Sequence, residues 1–78
     1  MASGVAVAVA TMNALRSAFA QSSHPVSAVA LTQTIKEKIP DSNVGQIGVA
    51  LRHYARKGVI TLDGEGARQI IRPGRSFS

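Results

Sequence analysis

The chain has 78 residues, which is one small domain near the lower limit at which a hydrophobic core holds a fold without disulfides or metal. It lacks cysteine, which excludes disulfides, thiolate zinc sites and thiol nucleophiles and favours a reducing, cytoplasmic location. Nine Lys or Arg residues against four Asp or Glu give a net charge of +5, which favours anionic partners such as nucleic acid over a basic surface with no ligand.

Residues 1–10 alternate Val with Ala or Gly, a pattern compatible with a strand, a disordered leader or an apolar arm that dimerises. The apolar stretch from Gly4 to Thr11 is too short to span a bilayer, and no basic residue precedes it. We therefore expect a flexible or dimerising arm over 1–10, a folded domain over 11–74 and a frayed tail over 75–78.

Helical periodicity begins at Thr11, where Met12, Leu15, Ala18 and Phe19 recur at three- and four-residue spacing. A first helix is predicted over 11–21, followed by a break at 22–25. A second helix is predicted over 28–38, because Ser27 is a suitable N-cap and Pro40 ends the pattern.

A third helix is predicted over 43–57, after a short turn in which Asp41 or Ser42 can cap it. Its predicted core side chains fall within one arc of a 3.6-residue period: Val44, Ile47, Leu51 and Tyr54. Gly58 is suited to the C′ position.

A β-hairpin is predicted next, with strands over 59–62 and 67–72 and a glycine-rich tip over 63–66. The two-residue strand period places Arg68 and Arg72 on one face, where both can reach a nucleic-acid backbone. Pro73 and Gly74 end the hairpin.

The segment VGQIGVALRHYARKGVITL (44–62) resembles the winged helix-turn-helix superfamily. The resemblance rests on the spacing of Ile47, Leu51, Tyr54, Gly58 and Ile60, with Tyr54 at a position that usually holds Leu. It implies an α+β, mostly α fold in which three helices are followed by a β-hairpin wing, and it implies DNA binding by the third helix. Winged helices also serve as protein-binding modules, so the fold alone does not decide the function.

The outer arc of the third helix contains no Asp or Glu between Asn43 and Lys57, which favours a nucleic-acid surface over an ordinary solvated helix. Gln46 suits adenine, Arg52 and Arg56 suit guanine or phosphate, and Ser42 with Asn43 suits a phosphate oxygen at the helix N-terminus. The full set of predicted DNA-binding residues is Ser42, Asn43, Gln46, Val49, Arg52, His53, Arg56, Lys57, Arg68 and Arg72.

The leading hypothesis is a double-stranded DNA-binding homodimer, acting as a transcriptional regulator or as a phage or plasmid accessory factor, nucleoid-associated in a bacterial or phage setting. The alternative is a protein-interaction winged helix, docked through Val49 and the N-terminal arm on a larger replication or transcription complex. Single-stranded nucleic acid is disfavoured, because Phe19, Tyr54 and Phe77 are the only aromatic residues available for stacking. No residue spacing suggests a nucleophile with its base, a metal site or a cofactor site, so we expect no enzymatic activity.

Overall fold

The fold is α+β and mostly helical, as the sequence predicted. The computed structural model describes residues 2–21 and 25–77. Within those residues the elements are α1 (Gly4–Gln21), β1 (Val26–Ser27), α2 (Ala28–Lys38), α3 (Val44–Arg56), β2 (Ile60–Asp63) and β3 (Ile70–Pro73). No helix in this part of the chain is both long enough and apolar enough to cross a membrane.

The first helix begins seven residues earlier than predicted, so residues 4–10 are helical rather than a strand or a flexible arm. Ser3 caps it, since its Oγ accepts the N–H of Ala6 at 3.0 Å. Val7 is fully buried, and Thr11 is buried one turn later with its hydroxyl donating to the Val7 carbonyl at 2.7 Å. The alternation of Val and Ala did not predict this helix. The buried residues of its first half, Val7, Thr11 and Leu15, are spaced four residues apart, which is a helical spacing.

The three strands form one antiparallel sheet in the order β1-β3-β2. Strand β1 was not predicted, because two residues carry no readable pattern. It pairs Val26 with Ile71, and Ile71 also pairs with Leu62 on the other side. The second hairpin strand begins later than predicted, because a single 3₁₀ turn (Gly66–Arg68) occupies the expected start of that strand.

The core lies between the helices and the sheet, and it is built from small aliphatic residues. Its buried cluster is Val7, Ala14, Leu15, Ala28, Leu31, Ile35, Ile47, Leu51, Ile60 and Ile71. The prediction that Val44 belongs to the core was wrong, since Val44 is 62% exposed and Ala50 is buried instead. The buried arc of α3 is rotated toward α1, because the longer α1 packs along that side of α3.

The helix ends follow the expected chemistry with one correction. Ser27 caps α2 through its side chain, and Gly58 adopts φ +79° after α3, both as predicted. The cap of α3 is Asn43, neither Asp41 nor Ser42. The Ser42 side chain instead turns back, and its hydroxyl donates to the Ile39 carbonyl at 2.6 Å.

The C-terminal segment packs on the domain, which corrects the expected frayed tail for residues 75–77. The Phe77 ring meets Phe19 edge-on, with ring centroids 5.0 Å apart. The Ser76 N–H donates to the Gly58 carbonyl at 3.0 Å, and the Gly74 N–H donates to the Val59 carbonyl at 2.8 Å. A Cβ on Gly74 would collide with the Gly58 carbonyl oxygen, so only glycine permits this close approach.

Candidate nucleic-acid interface

Helix α3 and its C-cap residue present three exposed cations near the C-terminal end of the helix: Arg52, Arg56 and Lys57. Residues 2–21 and 25–77 contain one ion pair between a cation and a carboxylate, which joins Arg72 and Asp63. The three α3 cations therefore keep their charge free for an external anion. This agrees with the expectation that the outer arc of α3 carries cations and no carboxylate.

Arg52 extends its side chain back along α3 toward Gly48. Its Nη1 lies 3.3 Å from the position that a Cβ on Gly48 would occupy, so the missing side chain leaves room for the guanidinium. Gly48 lines a cleft between α2 and α3, of about 520 Å³, and Lys36 of α2 lines the same cleft. We call this surface the α2–α3 face and define it by Lys36, Gly48, Arg52 and Gln69.

Lys36 is a candidate site residue that the sequence analysis missed. It is exposed on α2, but 16 positions separate it from Arg52 along the chain. The turn of residues 39–43 brings the two helices together. Helical periodicity predicts which side of one helix is exposed, but it does not predict which other element lies beside that side.

Gln46 is half-buried, and its side chain is hydrogen-bonded within the protein. Its Oε1 accepts the Asn43 backbone N–H at 3.1 Å, and Asn43 Oδ1 accepts the Gln46 N–H at 2.8 Å, which completes a capping box. Its Nε2 donates to the Ala2 carbonyl at 2.6 Å. Each end of the carboxamide is therefore engaged in one bond, which fixes its orientation and leaves one N–H and one oxygen lone pair for an external partner.

Ser42 and Asn43 also differ from the predicted phosphate site. Ser42 is buried, and its hydroxyl closes the turn before α3. Asn43 is exposed, but its side-chain oxygen and its backbone N–H both serve the capping box. The Ser42 hydroxyl is therefore not free to donate to a phosphate oxygen. The amide NH₂ of Asn43 is the side-chain donor of this pair that remains available.

Val49 and His53 lie on the other side of α3, beside α1. They line a groove of about 610 Å³ together with Gly4, Ala8, Gly45, Gln46, Ala50 and Arg52. We call it the α1–α3 groove. The His53 ring packs edge-on against Tyr54, with centroids 5.7 Å apart, and the Tyr54 hydroxyl donates to the Ala8 carbonyl at 2.8 Å. This side of α3 is thus largely apolar.

The hairpin arginines do not share a strand face, which corrects the prediction for Arg68 and Arg72. Arg68 lies in the 3₁₀ turn before β3, so the two-residue strand period does not reach it. Arg72 is in β3, and its Nε donates to Asp63 Oδ2 at 3.3 Å with both side chains half-exposed. Arg68 is the hairpin cation without a carboxylate partner in the described chain, and Arg72 is partly neutralised.

Within the described residues, no group of three His, Asp or Glu side chains is placed to hold a metal ion. His24 lies outside these residues. Comparison of the chain with protein-family models, with curated proteins and with solved structures found no match.

Proposed function

We propose that this chain is a winged helix-turn-helix domain that binds double-stranded DNA through α3 and the α2–α3 face. The proposal is supported by three helices, a tight turn between α2 and α3, and a β2–β3 hairpin, which are consistent with a winged-helix layout. The observation that carries the proposal is a set of exposed cations in α2, α3, the α3 cap and the 3₁₀ turn that form no ion pair with a carboxylate within the described residues: Lys36, Arg52, Arg56, Lys57 and Arg68.

In the proposed binding mode, arginine and lysine side chains contribute more than hydrogen bonds from the Gln46 amide to base edges. Arg52 and Arg56 are one helical turn apart on an exposed face, where guanidinium forks reach phosphate or guanine. Gly45 and Gly48 have no side chain, so the backbone of α3 can approach a major groove closely on this outer arc. With Gln46 engaged internally, the domain is expected to bind many duplex sequences with modest base preference, as a regulator or accessory factor of DNA.

The test is a fluorescence anisotropy titration of a random-sequence duplex and its matched single strands at two salt concentrations. Replacing Arg52 and Arg56 by Ala should weaken duplex binding about 10–100-fold at low salt and reduce the slope of log K against log salt by about two. The matched control is Arg16→Ala with Lys38→Ala, which removes two exposed charges from α1 and from the end of α2. It should change affinity less than about threefold.

Equal losses in both double variants would show that only net charge matters and would overturn the assignment of α3. Failure of the unaltered protein to bind duplex at low salt would overturn DNA binding altogether. The second candidate function, a protein-interaction winged helix, is favoured by one observation: Val49 lies with Gly4 and Ala8 in the apolar α1–α3 groove. Its mark is weak DNA binding that replacement of Arg52 and Arg56 affects no more than the control replacements do.

A further inference from the structure

Three elements of the fold build the cleft between α2 and α3. Two stripes of helical spacing line its long sides, and the hairpin lines the third side. The stripes include Val29 and Lys36 on α2 and Val44, Gly48 and Leu51 on α3, and the hairpin contributes Gly66. The volume of about 520 Å³ lies within the range of about 300–1,000 Å³ that is typical of small-ligand sites.

The cleft has an apolar bottom and two exposed valines at its rim. Leu51 is only 4% exposed, whereas Val29 is 42% exposed and Val44 is 62% exposed. All three residues line the cleft. An apolar group that enters the cleft therefore removes apolar surface of these side chains from water, which stabilises the complex.

Two cations border this apolar surface. Lys36 is exposed and lines the cleft. The Arg52 guanidinium lies beside Gly48, with Nη1 at 3.3 Å and Nη2 at 4.0 Å from the position that a Cβ on Gly48 would occupy. The chain has four Asp and Glu residues, all within its described part, and none of them lines the cleft. The charge that complements this cleft is therefore negative.

We propose that the cleft binds a small organic anion with an apolar body. The body lies on Val29, Val44 and Leu51, and the anionic group meets Lys36 and Arg52. A DNA phosphate or an inorganic anion supplies the charge alone and leaves the valines exposed to water. A mainly apolar lining with a few charged groups that fix the orientation is the usual composition of a small-molecule site.

Occupation of the cleft should weaken duplex binding. Lys36 and Arg52 belong to the α2–α3 face, and a bound anion neutralises charge that this face would otherwise offer to phosphates. This competition rests on the proposed function, whereas binding of the organic anion does not.

The test is a titration of the isotope-labelled full chain with naphthoate in the absence of DNA, followed by the NMR shifts of the backbone amides. The amides of Gly48 and Gly66 should shift with a Kd on the order of 1 mM, since a ligand of this size gains little free energy per atom. The amides of Gly4 and Ala8, in the α1–α3 groove, should not shift. Two matched probes separate the contributions: naphthylmethanol has the apolar body without the charge, and acetate has the charge without the body. Naphthylmethanol should bind about two- to fivefold more weakly than naphthoate, and acetate at least about tenfold more weakly.

Two pairs of variants assign the contacts. Lys36→Gln should weaken naphthoate binding about two- to fivefold and leave naphthylmethanol binding unchanged. Lys38→Gln is the matched control, because Lys38 is exposed on the same helix but does not line the cleft. Val44→Ser should weaken binding of both naphthyl probes about threefold. Val9→Ser is its control, because Val9 is 54% exposed and lies outside the cleft.

Equal affinity for naphthoate and naphthylmethanol overturns the proposal, and so do shifts at Gly4 and Ala8 in place of Gly48 and Gly66. The absence of shifts up to about 10 mM naphthoate overturns it as well.

A duplex titration tests the competition separately. Naphthoate at ten times its Kd should weaken duplex binding at least about threefold relative to acetate at the same concentration, which matches the ionic strength. A chain that binds naphthoate but no duplex would overturn DNA binding and support the cleft as an anion site. A chain that binds both without mutual effect would overturn the competition.

Discussion

The two sides of α3 face different helices and differ in their exposed residues. The side toward α1 is lined by Gly45, Val49 and Ala50 and adjoins the uncharged first half of α1. The side toward α2 has a cleft lined by Gly48 and by Lys36 of α2. Arg52 lies between the two, since its guanidinium is beside Gly48 while the residue also lines the groove toward α1. An exposed valine thus marks one side of α3, and an exposed cation of the neighbouring helix marks the other.

This difference shows that a neighbouring helix decides what a residue on the outer arc of α3 can contact. From the sequence, Gln46, Val49 and Arg52 were placed on one DNA-binding arc. In the structure α1 packs beside α3, the carbonyl of Ala2 just before α1 accepts from Gln46, and Val49 lies in a groove. The Arg52 guanidinium instead lies beside Gly48, although Arg52 also lines that groove.

The largest expected effect is the difference in stability between a variant at a buried valine of α1 and a variant at an exposed valine of α1. Val7→Asp should cost about 4–5 kcal/mol, comparable with the whole stability of a domain of this size, because it buries a charge without a partner. Val5→Asp should cost about 0.5 kcal/mol or less at low protein concentration. Thermal unfolding followed by circular dichroism measures both. Similar losses for the two variants would mean that the first half of α1 does not pack as an amphipathic helix.

Gln46→Ala separates a structural role from a base-reading role. It removes the capping-box acceptor for Asn43 and the donor to Ala2, so the free energy of unfolding should fall by about 1 kcal/mol. The midpoint of thermal unfolding should then fall by about 4–8 °C. Base preference, measured by selection from a random duplex library, should not change. Relaxed preference at one base pair with no loss of stability would restore Gln46 as a base-reading residue.

Gly48→Ala has the smallest expected effect and sharpens the position of Arg52. Alanine should stabilise the middle of α3 by about 0.5–1 kcal/mol, since the Arg52 guanidinium is the mobile end of an exposed side chain and can move aside. Duplex affinity should change less than about threefold, because the charge remains on the same face. Denaturant unfolding and anisotropy titration give the two values. A net destabilisation would show that Arg52 is fixed over Gly48.

Much of the fold follows from local signals. Ser27 and Pro40 mark the limits of α2, and Gly58 marks the end of α3 through its positive φ. The buried residues of α2, which are Ala28, Leu31 and Ile35, repeat every three or four positions as a helical pattern requires. Strand β1 could not be predicted from two residues, since it exists only as a partner for the edge of β3.

The candidate site was less accessible to sequence reasoning. Residue type and helical period identified Arg52, Arg56 and Lys57 as exposed cations, and they are exposed. The period did not show that Asp63 pairs with Arg72, because that contact joins two strands through the hairpin register. It also did not place Lys36 beside α3.

The sequence by itself determined the basic charge, the α+β composition, the limits of α2 and the turn chemistry around α3, since these depend on residues close together in the chain. Only the tertiary structure decided that residues 4–10 are helical, that Gln46 is engaged and that Val49 lies in a groove. All three depend on α1 packing against α3, a contact between segments about 40 residues apart. Burial of Val7 stabilises that contact, and no local preference encodes it.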